Sequence, residues 1–388
     1  MVPEVRESNR SAVLGELFAT YPTRRADLAS ATGLSNATVS RSVEGLIAEG
    51  LAREIDSPVQ GSRGRPATAL EIVPDRAYVA GVDLGASNTR IVVADAVCTV
   101  ISARSVPTPT DLGADDLVSW LAGELASDAA RLSVSLSRVS VGLPGAVHLQ
   151  NHSVTNAPNL AVVERPGFFD ALERIADTQL GIDNDANYAL MGEQRYGAAR
   201  EASTAVMLTI GAGLGAGISI EGKLLRGRYG LVGEFGQLPV GPLGTPLENM
   251  VTGPGIMRHA AELGIALPSP ADLFLPSDDR AVRKLRQSFD QALLIVLAAA
   301  VVSCEPEVIV LGGGISRSLA PDLPQLEAAL RDNLGSGPSL RLSELGEFSG
   351  AIGAVIASLH RLYVQLGIDE NDLARLPRHR EDALSRLE

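Results

Sequence analysis

The chain has 388 residues, 45% hydrophobic and 20% charged, a globular composition with room for about two or three domains. Aromatic residues make up 4% and the net charge is −13, which excludes a base-stacking single-strand binder and a uniformly basic nucleic-acid coat. Cys98 and Cys304 lie far apart, which excludes a disulfide framework and a cysteine-rich zinc knot.

Residues 1–10 are polar and charged, so no secretory leader is read and a cytoplasmic location is expected. Charge then divides unevenly. Residues 1–76 carry a net −1 and the remainder −12. A boundary is expected at Pro74–Asp75, after the polar stretch Ser57–Thr68, making 1–75 a separate unit. Within it, Val13, Leu14, Leu17 and Phe18 recur at helical spacing. Thr23 is expected to cap a second helix and Gly33 to form a short turn. Ser35 opens a third helix, with Val39, Val43, Leu46 and Ile47 as its apolar stripe and Gly50 at its end. Leu51–Ile55 and Ala69–Val73 are expected to pair as a wing. Three helices and a wing predict a winged helix-turn-helix, with the third helix in the major groove. Its early polar positions, Ser35, Asn36, Thr38, Ser40 and Arg41, suit base edges and phosphates. Arg63 and Arg65, in Gly61-Ser62-Arg63-Gly64-Arg65-Pro66, suit a narrow minor groove. A small helical bundle with a solvated loop would show the same pattern.

The remainder alternates strands and helices. Four β-rich segments lead into small-residue turns at Gly85–Asn88, Gly142–Gly145, Gly211–Gly217 and Gly312–Gly314. This predicts an α/β protein that exposes backbone at its strand ends. Small residues after Asp83 let backbone N–H groups approach phosphate, and the carboxylate can orient magnesium-bound water; an ordinary hairpin reads the same way. Asn184-Asp185 opens a helix, where Asp185 serves equally as an N-cap or as a general base toward a sugar hydroxyl. The longest apolar run, Ala292–Val302, has 11 residues. A spanning helix needs about 20, so a buried helix and no membrane contact are expected.

In this order the motifs resemble the repressor/open-reading-frame/kinase (ROK) family of sugar-responsive repressors and sugar kinases. The resemblance covers essentially the whole chain and includes Gly233-Glu234-Phe235-Gly236. It implies a two-lobed actin-like fold behind the winged helix-turn-helix. Residues 76–190 and 350–388 would form the first lobe, and 191–349 the second. It also implies that Asp185 is the catalytic base of a kinase, and that Asn184 and Glu234 contact the sugar, with Asn156 and Asn159 on a sugar-contacting loop. Asp83, Gly85, Ser87, Gly213, Gly215 and Gly313 fall on the nucleotide-phosphate side.

Two departures stand out. The family often has His at position 237, where this chain has Gln237, a residue still able to bond a sugar. The family's cysteine-rich loop corresponds to Pro239–Pro254, which has no cysteine, so no structural zinc is expected. The expected function is a sugar-responsive repressor acting on operator DNA as a homodimer or tetramer, with no required cofactor. The alternative is a sugar kinase with an accessory DNA-binding domain, needing ATP and magnesium.

Overall fold

A computed structural model describes residues 3–56, 68–174, 180–241 and 244–377. The N-terminal head contains helices α1 (Pro3–Thr20), α2 (Arg25–Thr32) and α3 (Asn36–Ala48). An antiparallel hairpin of Ala52–Asp56 and Thr68–Ile72 follows. Ser35 caps α3 as expected, its hydroxyl accepting from the Thr38 amide at 3.2 Å. Thr23 does not cap α2. Its N–H and C=O are paired with Leu70 at 3.0 and 2.7 Å, so a tertiary bridge overrides the local capping preference. Arg63 and Arg65 lie outside the described residues.

Beyond a turn at Pro74–Arg76 stand two five-stranded sheets of the same topology. The first runs Val100–Pro107, Asn88–Asp95, Tyr78–Leu84, Leu136–Leu143, Leu180–Asn184. The second runs Lys223–Leu224, Leu214–Ile220, Ala205–Ile210, Val308–Gly312, Ser339–Leu342. In each, the first three strands are antiparallel and the last two join in parallel. Two helices cross between the sheets. The hinge helix (Asp185–Tyr196) packs on the second sheet and on the return helix (Ser349–Gln365), which lies on the first. The expected lobe boundary at 190/191 therefore falls inside a helix. Glycine permits the contact between them. A Cβ on Gly353 would sit 1.7 Å from the Tyr188 carbonyl oxygen, and one on Gly192 2.6 Å from that of Ser349.

The head is not a bead on a linker. Val13, Leu14, Leu17 and Phe18 of α1 share one buried cluster with Val355, Leu359 and Tyr363 of the return helix. The Phe18 and Tyr363 rings stand 4.7 Å apart, and the Tyr363 hydroxyl donates to the Ala96 carbonyl at 2.8 Å. The segment after the return helix closes the seam. Arg375 pairs with Glu16 of α1 at 3.0 Å, and Arg195 of the hinge helix donates to the carbonyls of Ala374 and Pro377.

A second core is built around the long helix (Arg280–Cys304), which contains the expected apolar run. Among the described residues it alone has the length and hydropathy to cross a membrane. Phe289, Leu293, Val296 and Ala300 are instead buried in this core. The burial is one-sided: Ile295 is 44% and Val302 69% exposed, so the outer face departs from the expectation of a buried helix.

Candidate functional site

The cleft site starts at the N-terminus of the hinge helix. Asn184, not Asp185, is the cap: its side-chain oxygen accepts from the amides of Ala186 and Asn187 at 2.9 and 3.1 Å. Its amide nitrogen donates to the Gly145 carbonyl at 2.9 Å, fixing the turn after Leu136–Leu143. Behind it, Asp183 accepts from Asn187 at 2.8 Å and pairs with Arg226 at 2.6 Å, which ties a second-lobe loop to the first lobe. Capping by Asn184 leaves Asp185 available at the cleft wall. Gly215 lies beside it: a Cβ there would stand 3.7 Å from the Asp185 carboxylate, in ordinary contact, but 2.7 Å from the Thr209 hydroxyl, so a side chain would force a shift.

Across the cleft stand Glu234, Gln237 and Glu248. Gln237 Nε2 lies 3.5 Å from Glu248 Oε2. Gly213, assigned by resemblance to the nucleotide side, faces this group: a Cβ there would meet Glu248 at 3.0 Å and Asn159 at 3.2 Å. Asn159 donates to the Ala212 carbonyl at 3.1 Å, joining the lobes at the cleft rim. Asn156 is exposed in a left-handed turn (φ 60°), and no contact of its side chain draws it into the group. Glu248 escaped the sequence reading. Its only signal is that it is the one charged residue between Gln237 and Thr252.

These carboxyls hold protons tightly. Burial, then the neighbouring Asp83 and Glu234 charges, pushes Asp185 up to about 7, opposed by the Ala186 amide. Burial and then Glu248 push Glu234 up to about 7. Burial raises Glu248 as well. Asp83 rises to about 6 by burial, held back by Arg90. Asp185, Glu234 and Glu248, with Asn159, Asn184 and Gln237, make a wall rich in hydrogen-bonding groups. Such a wall suits a neutral polyol, which donates from every hydroxyl.

The phosphate-side candidates lie at the strand ends. Gly85 closes a tight turn on the Asn88 carbonyl at 3.2 Å, and Thr108 braces it by donating to the Gly85 carbonyl at 2.7 Å. Ser87 is exposed at its tip. Gly313 has φ 85°, and a Cβ would fall 2.4 Å from the Ile210 carbonyl oxygen, so only glycine fits. Open space above Gly314, where a Cβ would meet nothing within 4 Å, fits the approach of phosphate oxygens. The Asp83 carboxylate is already engaged: Arg90, directly opposite on the neighbouring strand, stands 3.6 Å away and pairs with Glu347 at 3.1 Å.

In the head, Asn36 and Arg41 are exposed, and Thr38 and Ser40 are half-buried. Ser35 is exposed, but its hydroxyl is spent on Thr38. Ser35→Ala is expected to destabilise the protein by about 1 kcal/mol in urea unfolding, because the Thr38 amide loses its cap. No loss would show that the cap is dispensable. On the surface, His152 Nδ1 lies 3.2 Å from Asp170 and 3.7 Å from Glu173, an exposed cluster of one imidazole and two carboxylates that sequence spacing did not show.

The profile of the ROK family matches residues 79–360, most of the chain. The chain belongs to the ROK family. Relatives include a glucokinase of Halalkalibacterium halodurans, 28% identical over 317 residues, covering 72% of this chain and 94% of that protein. The N-acetylglucosamine repressor of Escherichia coli O6:H1 is 26% identical over 382 residues, covering 90% of this chain and 92% of that protein. The solved ROK hexokinase of Thermus thermophilus is 26% identical, with a TM-score of 0.62, and covers 74% of this chain and 99% of its own. A ROK transcriptional regulator described as a homologue of E. coli MLC protein shares the fold at a TM-score of 0.73 and 20% identity, covering 96% of this chain and 99% of its own. The two-lobed sugar-kinase/actin-like fold of this chain follows from these likenesses.

Proposed function

We propose that this chain is a sugar-responsive DNA-binding regulator, a cytoplasmic repressor whose interlobe cleft takes a sugar effector. The observation that carries the reading is the shared core. The head, read as a winged helix-turn-helix, is packed through Phe18 and Tyr363 onto the lobe that also supplies Asp185. A ligand that draws Asn159, Glu234, Gln237 and Glu248 toward Asn184 and Asp185 favours a closed arrangement of the lobes. It then changes the pose of paired heads on DNA by population shift. Asn36, Arg41 and the flanking polar positions read one half-site, and Arg63 and Arg65 add minor-groove contacts. Two half-sites require at least a dimer. No cofactor is needed for this role. Gln237 beside Glu248, in a stretch without cysteine, supports a cleft with no structural zinc.

One observation favours a second reading, an ATP-dependent sugar kinase with an accessory DNA-binding domain. Asp185, raised to about 7, is poised as a general base, and both glycine turns are present. ATP and magnesium would bind on the side of Asp83, Gly85, Ser87, Gly215 and Gly313.

Both readings are tested together. DNA selected from a random pool by the purified protein is titrated by fluorescence anisotropy, with glucose, N-acetylglucosamine and xylose as probes. A regulator shifts its Kd for DNA by about 5–150-fold with one of them. Absence of any selected DNA ends the regulator reading. Coupled ADP release with the same sugars, abolished by Asp185→Asn, would instead establish the kinase.

A further inference from the structure

We infer that His152, Asp170 and Glu173 form a surface binding site for a first-row divalent cation of the Zn2+ or Ni2+ class. The inference is independent of whether the chain is a regulator or a kinase.

His152 sits at the tip of the hairpin formed by Ala146–His148 and Ser153–Thr155. Asp170 and Glu173 are three residues apart on the helix Phe168–Glu173, a spacing that sets both carboxylates on one side of it. The fold brings the hairpin tip against that side. Nδ1 of the imidazole stands 3.2 Å from Asp170 Oδ1 and 3.7 Å from Glu173 Oε2, and the three donor atoms all lie within 4.8 Å of one another. A cation bound to nitrogen and oxygen at about 2.1 Å spaces its donors about 3.4 Å apart in a tetrahedral shell and about 3.0 Å apart in an octahedral one. The three atoms therefore stand close to one face of a coordination shell before any ion arrives.

The imidazole is held in this position. Its ring is stacked on that of Phe169, with centroids 4.9 Å apart and planes at 28°. Phe169 is itself anchored in the first-lobe core, so the stacking fixes the plane of the imidazole and leaves the Nδ1 edge to the carboxylates. All three side chains are exposed, which gives an ion direct entry from solvent.

Charge calls for a cation here. Among the described residues, neither carboxylate is paired with a lysine or an arginine. Positive charge between them relieves their repulsion, and a metal ion supplies more of it than a proton on the imidazole. The donor set then selects the ion. One imidazole nitrogen and two carboxylate oxygens suit Zn2+ or Ni2+ better than Ca2+ or Mg2+, which take oxygen ligands. Three protein donors leave the remaining positions to water. The site is separate from Pro239–Pro254, the stretch without cysteine. A bound ion would bond the hairpin tip to the helix and close the segment that carries Asn156 and Asn159.

Isothermal titration of the EDTA-treated, desalted full chain with ZnCl2 and NiCl2, and in parallel with CaCl2 and MgCl2, tests the inference. Zn2+ or Ni2+ is expected to bind at one high-affinity site per chain and to raise the melting temperature by about 2 °C or more at saturation. Asp170→Asn and Glu173→Gln are each expected to weaken that binding at least ~tenfold, and His152→Ala further, with unchanged circular dichroism. His259→Ala, which removes another histidine beside a carboxylate, is expected to bind as the wild type does. Should His152→Ala misfold, the two carboxylate variants decide the matter. No binding, a response to Ca2+ or Mg2+ alone, or an affinity indifferent to all three variants would overturn the inference. So would a protein destabilised by His152→Ala yet blind to every metal, the mark of an imidazole–carboxylate contact and nothing more.

Discussion

Glu193→Ala is expected to cost about 3–5 kcal/mol of stability. Glu193 is fully buried on the hinge helix, at the opposite end from Asp185. Its carboxylate accepts from the Ser343 hydroxyl at 2.5 Å and from the amides of Leu345 at 3.1 Å, Ala198 at 2.7 Å and Glu344 at 3.3 Å. The alanine variant strands the buried amides of Ala198 and Leu345 and frees two part-buried donors on Ser343 and Glu344, and each buried lost partner adds a desolvation penalty. It also opens a cavity beside Gly197, where a Cβ would lie 2.0 Å from the carboxylate. Glu193→Gln keeps the shape but turns an NH2 group toward donors, and about 1–3 kcal/mol is expected for it. Urea unfolding at constant m-value measures both. An alanine variant within about 1 kcal/mol of wild type would mean that these bonds do not brace the lobes.

Asp185→Asn is expected to act in two opposite directions. Sugar affinity falls by about 10–100-fold, since a hydrogen bond to a charged group contributes about 1.5–3 kcal/mol. Stability rises above pH 7. Asp185, Glu234 and Asp83 bind protons more tightly in the folded chain, at about 7, 7 and 6, than in the unfolded one, at about 4. Their contribution to stability is therefore complete below the unfolded value. It declines as pH rises through about 4 to 7, where the folded state must give up protons it prefers to hold. Asparagine carries no such charge. Wild type and variant should have matching melting temperatures near pH 4 and diverge above pH 7. There the variant is expected to lead by about 1–2 kcal/mol, a figure reduced for solvent access to the cleft. A wild type that grows more stable from pH 5 to 8, in parallel with Asp185→Asn, would refute the buried-carboxyl account. Together the two outcomes would mark Asp185 as a group kept for binding at the expense of folding.

Much of the site was legible because its signals are local. Ser35 caps α3 through a bond three residues away, and helix starts carry that signature in sequence. Asn184-Asp185 announced the start of the hinge helix, and glycine runs announced the turns at the strand ends. Which of the two residues caps was not legible. That depends on Asn184 also reaching Gly145, 39 residues away. Thr23 was misread for the same reason, since its backbone pairs with Leu70.

Sequence by itself determined the order of elements, the polar face of α3 and the glycine-rich, acid-bearing strand ends, all set by interactions within a few residues. The tertiary structure alone decided that the head shares a core with the first lobe and that both sheets repeat one topology. It alone brought Arg90 to Asp83 and Glu347, Glu193 to the Ser343–Leu345 loop, and Glu248 to Gln237. These rest on contacts between residues up to several hundred positions apart, which close only when the chain collapses and leave no periodicity behind.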